Sequence, residues 1–177
     1  MSKNVKILVY CAMCIALAAV TDMVKLFHFP TGGSITLAST LFATLPAWFF
    51  GPVVGIFTGI AYGILQFVLD PFVLTPVQVI LDYGLAFAAY GLAGFFYKKK
   101  NGLQIGYVVG SIGRWFFAFL SGWIFFGEYA WAGWNAAAYS AVYNLIYIGV
   151  NMIIVLIIIS IPAMSNALES VKKNAVS

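Results

Sequence analysis

The side chains able to do chemistry concentrate between Arg114 and Asn151, RWFFAFLSGWIFFGEYAWAGWNAAAYSAVYNLIYIGVN, a stretch that holds four of the five tryptophans. On a helix turning about 100° per residue, Tyr139, Ser140, Tyr143, Asn144, Tyr147 and Asn151 fall at roughly 0, 100, 40, 140, 80 and 120°. Hydroxyls, amides and rings therefore share one face of an otherwise apolar run. Polar groups in hydrocarbon are unfavourable unless they meet a partner, a cavity or a ligand. The arc is expected to line a small-molecule pocket and to need a guest to share its hydrogen bonds. Phe126, Trp131, Trp134, Tyr139 and Tyr143 offer aromatic walls, Asp82 a carboxylate, and Asn144 and Gln78 amides. This set suits a flat, cationic heteroaromatic ligand, because rings stack and a cation is drawn to both a carboxylate and π faces. Trp123, Trp131 and Trp134 equally fit the aromatic belt at a lipid–water boundary.

Asp82 lies about two turns, roughly 9 Å, inside its helix. A carboxylate at that depth requires a partner and marks a functional site by default. Two partners are open to it: a ligand, or Arg114, the only arginine, as an ion pair joining two helices. Other reactive types point nowhere. Cys11 and Cys14 form a C-x-x-C in the middle of an apolar run, where thiols behave as small hydrophobes. The single histidine, His28, reads as a solvated loop residue. With no nucleophile–base pair and no cluster of metal ligands, no catalytic residue, metal or cofactor is expected, and the chain is not read as an enzyme. It also lacks G-x-x-x-x-G-K-[ST], so any ATP is hydrolysed elsewhere.

The elements that must position these groups are membrane helices. The chain is 63% hydrophobic and only 8% charged, with a mean hydropathy of +1.00, whereas soluble domains carry about 25% charged residues. The expected fold is all-α and integral to the membrane: one domain over 1–177, with six transmembrane helices at about 5–26, 35–50, 52–69, 77–97, 103–126 and 135–162, each near the ~20 residues a span requires. Lysines at 3 to 6, 98 to 100 and 172 to 173 are topology signals rather than a nucleic-acid surface. They place both termini and the fourth loop in the cytoplasm, with Lys25 the lone dissenter. The loops near 27–35, 69–76 and 127–134 then face outward, and so does the pocket. Gly55, Gly59 and Gly63 form a close-packing seam, and Ala12, Ala16 and Ala19 a smooth face that either packs within the bundle or docks on another membrane subunit. An intramembrane enzyme or a structural membrane protein are the other classes. The first wants a reactive cluster, and the second has no use for a one-sided polar arc. A channel would carry polar groups right across, yet helix 6 ends in MIIVLIIISI.

The motifs GGSITLAS, GPVVGIFTGIAYGILQ, PVQVILDY, SGWIFFGEYA and YSAVYN, in that order over about residues 12–151, resemble the thiamin-specific substrate-binding (S) components of energy-coupling factor (ECF) transporters. The resemblance implies a six-helix S-component bundle in the bacterial plasma membrane. Such a subunit captures thiamin outside and works with a membrane scaffold protein and two ATPases. It implies ligand positions at Asp82, Tyr83, Phe126, Tyr139 and Asn144, and it assigns Ala12 and Ala16 to scaffold docking. The chain departs from the pattern at Ala118, where a histidine is typical, and at Phe72, where a tyrosine is common. A hydrogen bond to a charged group contributes about 1.5–3 kcal/mol, so the lost donor implies weaker thiamin binding or a related ring, such as a thiamin precursor.

Overall fold

A computed structural model describes residues 2–177. It contains α1 (Lys3–Asp22), a hairpin of β1 (Lys25–His28) and β2 (Ser34–Thr36), α2 (Ser39–Phe50), α3 (Pro52–Leu69), α4 (Pro76–Phe96), α5 (Gly102–Phe125), α6 (Ala136–Ser160) and α7 (Pro162–Val176). Helix starts follow local chemistry. Ser2, Thr75 and Asn135 accept hydrogen bonds from Val5, Gln78 and Ala138 amides at the heads of α1, α4 and α6. Pro52, Pro76 and Pro162 occupy first turns, where a missing N–H has no consequence.

Helices α1, α3, α4, α5 and α6 are long and apolar enough to cross a membrane. The sixth, α2, has 12 residues and is therefore about 18 Å long at ~1.5 Å per residue. Two expected boundaries are corrected here. The helix expected over 5–26 stops at Asp22, and the one expected over 35–50 starts only at Ser39. Residues 25–36 instead form an antiparallel hairpin pairing Lys25 with Thr36, Phe27 with Ile35 and His28 with Ser34. Apolar Leu26, Phe27 and Phe29 continue the hydropathy of α1, but Pro30 lacks an amide hydrogen, and Gly32 and Gly33 take φ of 90° and 85°, which only glycine adopts freely. The chain turns back there.

At one end of the bundle Lys6 Nζ donates to Ser177 Oγ at 3.3 Å. There too Lys172 of α7 lies 4.1 Å from the Trp48 ring centre and donates to the Tyr97 carbonyl. This lysine end gathers both termini and the 97–101 loop. The opposite end, the mouth, carries the hairpin and the 70–75 and 126–135 loops. Helix α7 lies beyond the six helices that the sequence predicts; its buried Leu168 and Ala175 hold it against the bundle.

Helix α4 is irregular: α-helical at Pro76–Val79, π-type over Ile80–Leu85, and 3-10 over Ala89–Phe96. Such π-type turns frequently mark functional positions, and this one contains Asp82 and Tyr83. The α3–α4 seam is tight. A methyl group on Gly63 would lie 1.7 Å from the Tyr83 carbonyl oxygen, so the two backbones touch there. In α1, Cys11 and Cys14 are buried free thiols, while Ala12 and Ala16 are exposed beside Leu8, Met13 and Val20.

Candidate functional site

A cavity of about 140 Å³, open at its mouth, lies between the hairpin and helices α2 to α6. All six residues of the α6 arc line it. Facing them, α4 supplies Gln78, Asp82, Tyr83 and Phe87, and α5 supplies Arg114, Ala118, Gly122 and Phe126 at successive turns of one face. Phe72, from the 70–75 loop, stacks on Phe126 at 5.5 Å and 23°. Among the described residues no group of three or more His, Cys, Asp or Glu side chains is placed to hold a metal.

Asp82 accepts from Gln78 Nε2 at 2.7 Å. The same amide donates to the Phe72 carbonyl at 3.2 Å, and its oxygen accepts from the Leu74 amide at 3.0 Å. The Tyr83 hydroxyl accepts from the Phe72 amide and donates to the Asp70 carbonyl, both at 2.9 Å. The mouth loop is thereby fastened to the turn that carries Asp82. Lys25 pairs with Asp70, the one ion pair among the described residues, so a lysine at the mouth end has a local reason to be there.

The structure does not form the alternative Asp82–Arg114 pair. Arg114 Nη1 donates to the Tyr90 hydroxyl at 3.1 Å, and the guanidinium lies 4.5 Å from the Phe87 ring centre and 5.6 Å from that of Tyr90. Among the described residues no carboxylate comes within 4.0 Å of it. Helices α4 and α5 are joined here by an arginine clasped between rings, which leaves Asp82 without a cation.

The expectation that the arc needs a guest for its hydrogen bonds is also corrected. Asn144 Nδ2 donates to the Ala118 and Ser140 carbonyls at 3.2 and 2.9 Å, and Asn144 Oδ1 accepts from Tyr147 at 2.8 Å. Asn151 accepts from the Thr36 amide at 2.9 Å and donates to the Ser34 carbonyl at 2.8 Å. Tyr143 accepts from the Thr31 amide at 3.2 Å and donates to the Gly32 carbonyl at 2.8 Å. Tyr139 meets Thr31 Oγ1 at 3.3 Å. The hairpin supplies most of the partners, which explains how the polar arc is tolerated. Spare capacity remains at the second Asp82 oxygen and at Ser121 Oγ, a fully buried hydroxyl with no partner among the described residues.

Of the residues expected at the site, Asp82, Tyr83, Phe126, Tyr139, Tyr143 and Asn144 line the cavity. Trp131 and Trp134 do not. They stand exposed on the rim, edge to face at 5.2 Å, with Trp131 edge-on to Tyr139 at 5.2 Å. His28 is exposed and meets Ser34 Oγ at 3.0 Å. Sequence reasoning missed the hairpin lining at Thr31, Gly33 and Thr36 and the deeper Ser39 and Thr40; Arg114, weighed there only as a partner for Asp82, lines the cavity as well. The available signal was the Gly32–Gly33 pair. At Gly33 a Cβ would meet the Tyr147 ring at 2.8 Å, so this glycine is what lets the hairpin lie on α6.

The profile of the family described as thiamine transporter protein (Thia_YuaJ) matches residues 8–170. The thiamine transporter ThiT of Bacillus subtilis (strain 168) is 32% identical over 175 residues, covering 89% of this chain and 90% of that protein. ThiT of Lacticaseibacillus paracasei is 32% identical over 111 residues, covering 53% and 55% of the two chains. A solved structure of ThiT from Listeria monocytogenes superposes with a TM-score of 0.78 at 28% identity, covering 92% of this chain and 97% of that one. A multi-pass helical bundle with a lined cavity, matched along nearly its whole length in sequence and fold, belongs to the thiamine transporter family, whose members are transporters and not enzymes.

Proposed function

We propose that this chain is the thiamin-capturing S component of an ECF-type uptake transporter and that the cavity is its vitamin site. The observation that carries this reading is Asp82. It stands in the cavity wall with one oxygen held by Gln78 and, among the described residues, no basic side chain within 4.0 Å, and it shares the cavity with the stacked rings of Phe72 and Phe126. A permanently cationic thiazolium satisfies the carboxylate and stacks on those rings. Tyr139 and Asn144 bound the opposite wall, Tyr83 and Tyr143 contribute ring edges while their hydroxyls fasten the loops, and Trp131 and Trp134 cover the rim. The lysine end faces the cytoplasm with both termini, the mouth faces outward, and the membrane is the bacterial plasma membrane. Exposed Ala12 and Ala16 on α1 give a scaffold protein a smooth face for close approach. Two ATPases supply the hydrolysis for which this chain encodes no phosphate loop.

Purified protein is expected to bind thiamin one to one in native mass spectrometry, with tryptophan emission quenched by stacking near the rim. Absence of both signals overturns the assignment. Ala118 favours a second ligand of the same class: its methyl group lines the cavity where a donor is absent. Competition between thiamin and its aminopyrimidine precursor distinguishes the two, since preferential binding of the uncharged precursor removes the role given to Asp82.

A further inference from the structure

Helices α4 and α5 run antiparallel along one wall of the cavity, and their close contacts fix the register between them. A methyl group on Gly106 would lie 2.8 Å from the Ala93 carbonyl oxygen, and one on Gly110 would lie 3.1 Å from the Tyr90 Cα. Each step toward the mouth on α5 is therefore a step back along α4. Continued for about three turns, this register brings Ser121 level with the π-type turn Ile80–Leu85. Its neighbour Gly122 is turned to α6, since a methyl group there would lie 2.2 Å from Ser140 Oγ. Ser121 is about 100° away around the helix and about two turns above Arg114, on the side that meets α4. Gln78 and Ser121 are the side chains whose hydrogen-bonding groups stand beside the Asp82 carboxylate.

Ser121 differs from the other helix hydroxyls of the bundle. Thr44, Thr58 and Ser160 donate to the carbonyl four residues before, at 2.8, 2.8 and 2.7 Å, a local bond that satisfies a hydroxyl on its own helix. Ser121 Oγ is fully buried and bonds nothing among the described residues, a condition it shares there only with Ser111 Oγ among buried side-chain polar atoms. The Ala118 carbonyl, three residues before it, is taken by Asn144 Nδ2. An unbonded buried hydroxyl destabilises the ligand-free fold. Across from it, Asp82 has one oxygen bonded by Gln78 and a second with no donor from the described residues. A vacant donor and a vacant charged acceptor thus stand together at the α4–α5 contact with no bond closed between them.

We propose that Ser121 is a positioning residue for the site: on capture of the cation its hydroxyl donates to the Asp82 oxygen that Gln78 leaves free and fixes the plane of the carboxylate against the ligand. The proposal rests on the vitamin reading above. Before capture the cavity is open at its mouth and Asp82 is half-buried, so water serves the free oxygen. A ring seated over the carboxylate removes that water, and Ser121 is then the donor on the protein side. A carboxylate has about four lone-pair sites, which leaves room for the cation on the same oxygen. Gln78 ties the carboxylate to the mouth loop through Phe72 and Leu74, whereas Ser121 ties it to α5, the helix that leads to Phe126. The hydroxyl that destabilises the empty protein thereby strengthens the loaded one.

The test is a double-variant cycle on the full chain with thiamin as the probe. Ser121→Ala is expected to weaken thiamin binding on the order of 10-fold, the equivalent of one hydrogen bond to a charged group. The melting midpoint of the ligand-free variant is expected to match wild type or rise, because a vacant buried hydroxyl has gone. In an Asp82→Asn background the same substitution is expected to change the thiamin Kd by less than about 2-fold, since the charged acceptor it serves is absent. An equal loss in both backgrounds, or a ligand-free midpoint that falls in step with affinity, assigns Ser121 to packing and overturns the proposal. Thiamin binding by Ser121→Ala at wild-type strength overturns it too and leaves the vitamin reading intact, whereas wild-type protein that binds no thiamin refutes the vitamin reading and the proposal together.

Discussion

Replacing Asp82 with asparagine separates a ligand contact from a structural one. The substitution keeps the shape and leaves an oxygen to accept from Gln78 Nε2, now at 2.7 Å, so the fastening of the mouth loop survives. It removes one negative charge that has no cation partner among the described residues. A unit charge about 4 Å from a cationic ring contributes up to ~4 kcal/mol at an effective dielectric of 20, and a hydrogen bond to a charged group about 1.5–3 kcal/mol. A loss of about 3 kcal/mol, or on the order of 100-fold in thiamin Kd, is therefore expected. The melting midpoint is expected to move by no more than ~4 °C, the equivalent of ~1 kcal/mol for a chain of this size. Titration calorimetry reads the first quantity and differential scanning fluorimetry the second. Had Asp82 been paired with Arg114, losing one partner would cost about 3–5 kcal/mol of stability. A variant that binds thiamin within threefold of wild type, or one whose stability falls as far as its affinity, refutes the reasoning.

Gly33→Ala forces a side chain into φ 85° and to 2.8 Å from the Tyr147 ring; a loss of about 1–3 kcal/mol is expected, seen as a lower melting midpoint and faster amide exchange over residues 29–34. Leucine at both Ala12 and Ala16 is expected to leave thiamin binding by the purified chain unchanged, because both are exposed and remote from the cavity, but to abolish uptake in cells that supply the scaffold and ATPases. Burial against the bundle pushes the Lys172 ammonium below its usual range, with Glu169 acting weakly in the opposite sense. The folded chain therefore gives up this proton at lower pH than the unfolded chain, and stability rises with pH between the two values. The difference in melting midpoint between wild type and Lys172→Met should change in that sense as pH approaches the ordinary lysine range; a flat difference contradicts the assignment.

What could be read from the sequence was whatever composition and period determine directly. Thirty-eight residues from Arg114 to Asn151 carry the tyrosine and asparagine spacing, and the arc of α6 does line the cavity because a 3.6-residue period leaves no other face for it. The Gly63 seam was legible for a similar reason. Hydropathy did not reveal the hairpin, since Leu26, Phe27, Phe29 and Ile35 are as apolar as any helical run, and two glycines and a proline decide between the alternatives. Nor does a one-dimensional pattern say where a long cationic side chain ends: Arg114 is on the expected helix, yet its guanidinium goes to Tyr90 rather than to Asp82. The tryptophans at 131 and 134 were ambiguous for want of a helical phase in their loop, and the structure leaves both on the rim.

The brevity of α2 has one more effect. A hydrocarbon layer is about 30 Å thick, and twelve residues of helix account for little more than half of it. Below Thr40 the seal against leakage is about 15 Å of packed side chains, with the stacked phenols of Tyr90 and Tyr107 at its top and buried Leu45, Trp48, Phe49, Val155 and Ile159 beneath them. A solute lodged above those rings has already traversed a large part of the insulating slab, so only the closed, packed remainder separates it from the far side.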